Sequence, residues 1–96
     1  MTDVEQLRRE TRSIVERVSP SIDVLRIDAE EMVDSAGDIS LQVTVLVKQR
    51  PSHTARFVSN VVDQLRSWLV SKRDDRFPYV NLITESEERE LQRVDE

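Results

Sequence analysis

From Ile39 to Val47 the chain alternates, with Ile39, Leu41, Val43, Val45 and Val47 separated by Ser40, Gln42, Thr44 and Leu46. A period of two rich in β-branched residues predicts a strand with one buried face, because successive side chains of a strand point to opposite sides. Upstream, Ser21–Val33 is also strand-like, and the segment between the two, Asp34–Asp38, holds the only glycine of the chain, Gly37. A three-residue loop, Ser35-Ala36-Gly37, with its glycine in the left-handed region is a common hairpin closure. Pairing Asp34 with Asp38 then sets Val33 opposite Ile39, Ala29 opposite Val43, Ile27 opposite Val45 and Leu25 opposite Val47. The apolar residues share one face. On the reverse face Glu30 meets Gln42, Asp28 meets Thr44 and Arg26 meets Leu46, and a slip of one residue would turn those charges into the core. Only Glu31, opposite Leu41, breaks the match.

The flanking segments have the longer helical period. Asp3 is placed to cap a helix whose positions Val4, Leu7, Thr11, Ile14, Val15 and Val18 recur in steps of three and four, with Arg8, Arg9, Arg12 and Glu16 on the other face. Ser19-Pro20-Ser21 ends it, since the residue before a proline is driven out of helical geometry. After Arg50-Pro51, either Ser52 or Thr54 is expected to cap a second helix with Val58, Val61, Val62, Leu65, Trp68 and Leu69 on one stripe. The polar run Ser71–Arg76 stops it. Phe77–Thr84 reads as a third strand, in which Pro78 lacks a ladder donor and suits a strand start or an edge. Thr84 and Glu87 form a possible capping box opening the tail, where Leu91 and Val94 stand three residues apart.

The expected architecture is a two-layer α/β sandwich of the α+β type, in the order α-β-β-α-β. It has a three-stranded mixed sheet built on the hairpin, Ile39–Val47 at its centre, and two helices on one face. Residues 1–84 make the domain, and residues 85–96 an acidic tail able to form a short helix. The third strand is expected beside Ile39–Val47, through a right-handed crossover.

Composition adds exclusions. At 96 residues, 38% hydrophobic and 34% charged, the chain fits a single globular domain. It has no cysteine, which removes disulfides, thiolate metal sites and thiol nucleophiles and makes a reducing cytoplasm the expected compartment. No apolar run approaches the roughly 20 residues that cross a bilayer, so no membrane partner is expected. The net charge of −5 is uneven, with acid gathered in residues 21–50 and 77–96 and a basic excess in residues 51–76. Such a balance disfavours nucleic acid, whose non-specific binding comes from many Lys and Arg contacts to phosphates.

Candidate chemistry is sparse. Lys48, Arg50, Ser52, His53 and Arg56 surround the start of the second helix, where basic residues are unfavourable beside the positive dipole end unless an anion is near. They are the candidate anion site, though the spacing matches no glycine-bearing phosphate loop. Asp28, Glu30, Glu31, Asp34 and Asp38 lack the ligand spacing of a calcium loop, and alternation divides them between two faces. His53 is the only histidine, and with Ser52 and Thr54 as mere chain neighbours no catalytic triad is suggested. Neither catalytic residues nor a cofactor or metal is expected. On the sheet face away from the helices Ile22, Val24, Met32, Leu46, Tyr79 and Ile83 are the candidate interface residues.

The order and length of these elements resemble those of ribosome-binding factors with a KH-like fold, and of small metallochaperone-like and alkaline-shock-type domains. The resemblance implies a fold only, since no KH loop or metal-ligand motif accompanies it. The expected role is therefore a non-enzymatic interaction or self-associating domain, with a protein partner or a homodimer. The alternative is an RNA- or ribosome-associated module using Lys48, Arg50, Arg56, Lys72, Arg73 and Arg76. A third is an enzyme with an anion pocket around His53.

Overall fold

The structure, a computed structural model, describes residues 2–93. Its elements are α1 (Val4–Val18), β1 (Val24–Val33), β2 (Ile39–Val47), α2 (Thr54–Ser71), β3 (Pro78–Thr84) and α3 (Glu85–Arg93). The strands form one mixed sheet in the order β1-β2-β3, β1 antiparallel and β3 parallel to the central β2. This is the α+β arrangement read from the sequence, with a third helix added. Val94, expected to follow Leu91 on that helix, lies outside the described residues.

One face of the sheet carries the core. Val43, Val45 and Val47 of β2 are fully buried, together with Leu7, Ile14 and Val15 of α1, Val61, Leu65 and Leu69 of α2, and Ile27 and Leu82 from the outer strands. The hairpin closes as its composition requires. Gly37 has φ +86°, a region where a side chain would be strained, and Asp34 N–H donates to the Asp38 carbonyl at 2.9 Å. The Asp34 carboxylate accepts from the N–H groups of Ala36 and Asp38, each at 3.0 Å, and so fastens the loop from inside.

The expected register holds from Val33↔Ile39 to Arg26↔Leu46 and then fails. A β-bulge at Leu25 inserts one residue, so that Val24 rather than Leu25 pairs with Val47. Alternation reverses upstream of it: Val24 and Ile22 pack against the core, and Leu25 is left 44% exposed. The bulge thus trades one leucine for two β-branched residues on the buried side. It corrects the placement of Ile22 and Val24 on the open face.

Helix termini follow two patterns. Asp3 caps α1 in a capping box with Gln6, whose N–H it accepts at 2.8 Å. At α2 the cap position belongs to His53, with no side-chain cap bond, and Thr54 Oγ1 instead donates to the Pro51 carbonyl at 3.1 Å. Ser52 and Thr54 therefore do not cap this helix. At its other end Arg73 N–H donates to Val70 and Asp74 N–H to Leu69, each at 2.9 Å, a Schellman closure with Arg73 at φ +58°. A non-glycine residue in that region costs about 1 kcal/mol.

Beyond this turn lies a polar lock that sequence reasoning missed. Asp74 is 3% exposed and Arg76 7%. Arg76 Nε and Nη2 donate to the two Asp74 oxygens at 2.9 and 2.6 Å, and Nη2 also donates to the Thr2 carbonyl at 2.7 Å. Asp74 in turn accepts the N–H of Thr2 at 3.3 Å and of Arg76 at 3.2 Å. Glu31, the residue that broke the face match, lies 3.5 Å from Arg76 Nη1. The lock joins the chain start, the α2–β3 turn and β1, and the Arg76 hydrogen bonds hold the Asp74 carboxyl down to about 2.

Two expectations follow. Arg73→Gly removes the left-handed strain and raises unfolding free energy by about 1 kcal/mol in urea titration; an unchanged or lowered midpoint would contradict the strain. Because the folded-state pKa of Asp74 is depressed, its contribution is fully present above the unfolded value near 3.8 and is lost as pH falls through about 2. It amounts to about 2 kcal/mol. Asp74→Asn leaves Arg76 buried without its counter-charge and costs about 3 kcal/mol or more at pH 7. It also flattens the loss of stability between about pH 4 and 2, so a variant with the wild-type acid profile would show that Asp74 is not its source.

Candidate interaction surface

The candidate anion residues do not converge. Lys48, Arg50 and Ser52 line a depression of about 370 Å³ beside Ile22, and Asp23 contributes a carboxylate to the same wall. His53 and Arg56 line a second depression of about 220 Å³ with Phe57 and Asn60, sharing only Ser52 of the candidate set with the first. Arg50 is already engaged: its Nη2 reaches both Glu87 oxygens at 2.7 and 2.8 Å. That contact, with the Thr84 N–H, holds the Glu87 carboxyl below its ordinary range.

Nor do the basic residues assigned to the RNA reading form one surface. Arg76 is buried in the lock and Arg50 is paired with Glu87. Lys72 lies over the Trp68 ring, 5.9 Å from its centroid. Among the described residues no group of three or more His, Cys, Asp or Glu is placed to hold a metal ion. No helix there is long and apolar enough to cross a membrane.

The sheet face away from the core is less open than its residues suggest. Leu46 points there, since its neighbours Val45 and Val47 are in the core, yet it is only 5% exposed. Beside it on the same face, α3 reaches β1. Thr84 and Glu87 form the expected capping box, Thr84 N–H donating to Glu87 Oε1 at 3.0 Å and Glu87 N–H to Thr84 Oγ1 at 3.2 Å. The helix so started turns back over the sheet, because Glu88 pairs with Arg26 of β1, the cross-strand partner of Leu46. Arg26 is held by Asp28 as well at 2.8 Å, and both carboxylates raise its pKa. Ile83, the other neighbour of Leu46, is half-buried at the same end. Of the candidate interface residues, Met32 is half-buried and Tyr79 is 44% exposed, both toward the hairpin end.

The sheet edges are the feature that residue types alone did not expose. In a ladder, alternate residues of an outer strand turn their N–H and C=O inward and the rest turn outward. Leu41 N–H donates to the Phe77 carbonyl at 2.9 Å, which commits Phe77, Tyr79, Asn81 and Ile83 to β2 and turns Val80 and Leu82 outward. On β1, Asp34 N–H bonding to Asp38 commits the even-numbered residues inward from Arg26 to Met32, and Ile27, Ala29, Glu31 and Val33 face out.

The two edges differ in chemistry. On β1, Arg8 Nε donates to the outward carbonyl of Ile27 at 2.9 Å, and Asp28, Glu30 and Glu31 crowd the strand. Blocking side chains and charge are the usual protection of an edge. On β3 no charged residue occurs between Arg76 and Glu85, and among the described residues nothing bonds the outward groups of Val80 and Leu82. Val70, Phe77 and Tyr79 stay exposed along this margin. The Phe77 and Tyr79 rings lie 4.8 Å apart, and Arg66 of α2 sits over Phe77 at 5.2 Å. Pro78, which offers no donor, and Thr84, whose N–H is taken by Glu87, bound this edge.

Fold and surface together define a two-layer α+β domain whose mixed sheet has one protected edge and one unprotected one. In comparisons with protein-family models, curated proteins and solved structures, nothing matches the chain.

If the ion pairs to Arg50 and Arg26 hold α3 against the sheet, Glu87→Gln with Glu88→Gln speeds amide exchange throughout Glu85–Arg93. Global stability changes little, because exposed pairs are screened by solvent. Unchanged exchange in α3 would show that these ion pairs do not seat the helix.

Proposed function

We propose that the protein is a small interaction domain that works by accepting a strand at the β3 edge. The carrying observation is the contrast between the edges: β1 is blocked by Arg8 and three acids, whereas β3 offers outward N–H and C=O groups at Val80 and Leu82 without a charge along the strand. Edge addition is a common recognition mode in which backbone hydrogen bonds supply affinity and alternate side chains supply specificity. Exposed Phe77 and Tyr79 furnish apolar contact on the open face beside that edge. The domain's candidate anion residues lack the convergence that a small-molecule site needs, which supports association over chemistry.

Asn81→Lys tests the reading, since Asn81 is exposed at the middle of β3 and its own backbone groups face β2. Immobilised wild type should retain a protein from native extract, nuclease treatment should not release it, and the variant should fail to retain it. Equal retention by both forms, release by nuclease, or an extract that yields nothing for a wild type that is also monomeric in light scattering would each remove the reading.

A further inference from the structure

We infer that the strand received by β3 is β3 of a second copy, antiparallel across a two-fold axis at Asn81, so that two three-stranded sheets become one continuous sheet. This rests on the β3 edge being the working surface, and it names the partner and the register.

The backbone groups limit the register. Only outward-facing residues can pair across the new seam, and these are Pro78, Val80, Leu82 and Thr84. Pro78 has no N–H, and the Thr84 N–H is taken by Glu87. Setting Val80 opposite Leu82 of the second copy, and the reverse, uses the donor and acceptor of both residues in both chains and sets Pro78 against Thr84, whose carbonyls find no donor across the seam. Centring the pair on Val80 sets Leu82 against Pro78 and strands the Leu82 carbonyl, which finds no donor. Centring it on Leu82 sets Val80 against Thr84 and strands the Val80 carbonyl in the same way. All three registers form the same number of seam hydrogen bonds, and the Asn81-centred one is favoured because it alone satisfies Val80 and Leu82 in full and confines the unpaired carbonyls to Pro78 and Thr84 at the strand ends.

Side chains agree with it. On the open face Asn81 then faces Asn81 of the copy, two amides that can donate and accept reciprocally, and Tyr79 faces Ile83, an aromatic beside a β-branched residue. No charge is brought against a like charge. The same exercise on β1 fails at every central register: Asp28 meets Glu30, or Glu30 meets Glu30, or Glu31 meets Glu31. Directly opposed like charges destabilise a pair, so the acids that guard β1 leave β3 as the edge open to self-pairing. The path of α3 fits as well. Its contacts with Arg50 and Arg26 lead it back toward β1 and away from the outer side of β3.

Because Asn81 is unique in facing itself, a charge swap reads the register directly. Light scattering over a series reaching about 1 mM should show wild type at twice the 11.2 kDa chain mass, since any Kd tighter than that registers there. Asn81→Asp and Asn81→Lys should each be monomeric, with melting curves confirming that both fold. Their equimolar mixture should regain the doubled mass, because Asp then faces Lys. A monomeric wild type, a variant that stays dimeric, or a mixture that stays monomeric each overturns the inference. If wild type is monomeric yet retains an extract protein that Asn81→Lys loses, self-pairing falls and strand acceptance stands; if retention is also insensitive to Asn81, both fall.

Discussion

The central strand β2 sets the terms for everything around it. Val43, Val45 and Val47 turn fully buried side chains to the helices while their N–H and C=O groups are committed to β3, and the intervening residues commit theirs to β1. A strand with its valine face and both edges occupied has no freedom left to meet a partner through its backbone. With three strands in the sheet, the unfinished hydrogen bonding therefore falls on β1 and β3, and the chemistry of those two strands decides what the domain can join. On β1 that chemistry is repulsive and partly blocked. On β3 it is neutral and free.

The hairpin and its register are legible in the sequence because turn and face information coincide. Asp34, Gly37 and Asp38 fix the closure, and a single slip would bury Arg26, Asp28 and Glu30. Legibility ends at Leu25. Ile22, Val24, Leu25 and Ile27 are all apolar, so either phase of the alternation is locally acceptable, and the choice depends on which side chains fill the space beside Val18 and Val47. A bulge takes the second phase, and no local signal marks it because its gain is tertiary packing.

The polar lock was illegible for a related reason. Ser71–Arg76 reads as a solvated charged loop, and it mostly is one: Lys72, Arg73 and Asp75 are exposed. What selects Asp74 and Arg76 for burial is the backbone of Thr2, 72 positions from Asp74, which supplies both a donor and an acceptor to the pair. The odd placement of Glu31 on the apolar face of β1 was the one local trace of it, explained once Glu31 is found 3.5 Å from Arg76. The candidate site was legible to a similar depth. Strand residues could be assigned to faces, which places Tyr79 and Met32 on the open face, while the reach of α3 to Arg26 across the sheet has no local trace.

The same distant contacts explain why β3 presents a short and well-bounded edge. At its start, Asp74 and Arg76 anchor the turn, and Pro78 removes the first outward donor. At its end, the Thr84–Glu87 capping box takes the last outward N–H and turns the chain into α3. Between these stops only Val80 and Leu82 remain fully competent in both directions. An edge so limited offers little to a slipped partner, because each displaced register strands a carbonyl of Val80 or Leu82, the two residues that are competent in both directions. A long uncharged edge would invite aggregation, whereas this one is kept short by the residues that terminate it. The devices that position β3 within the fold thus also determine how much of it is left to share.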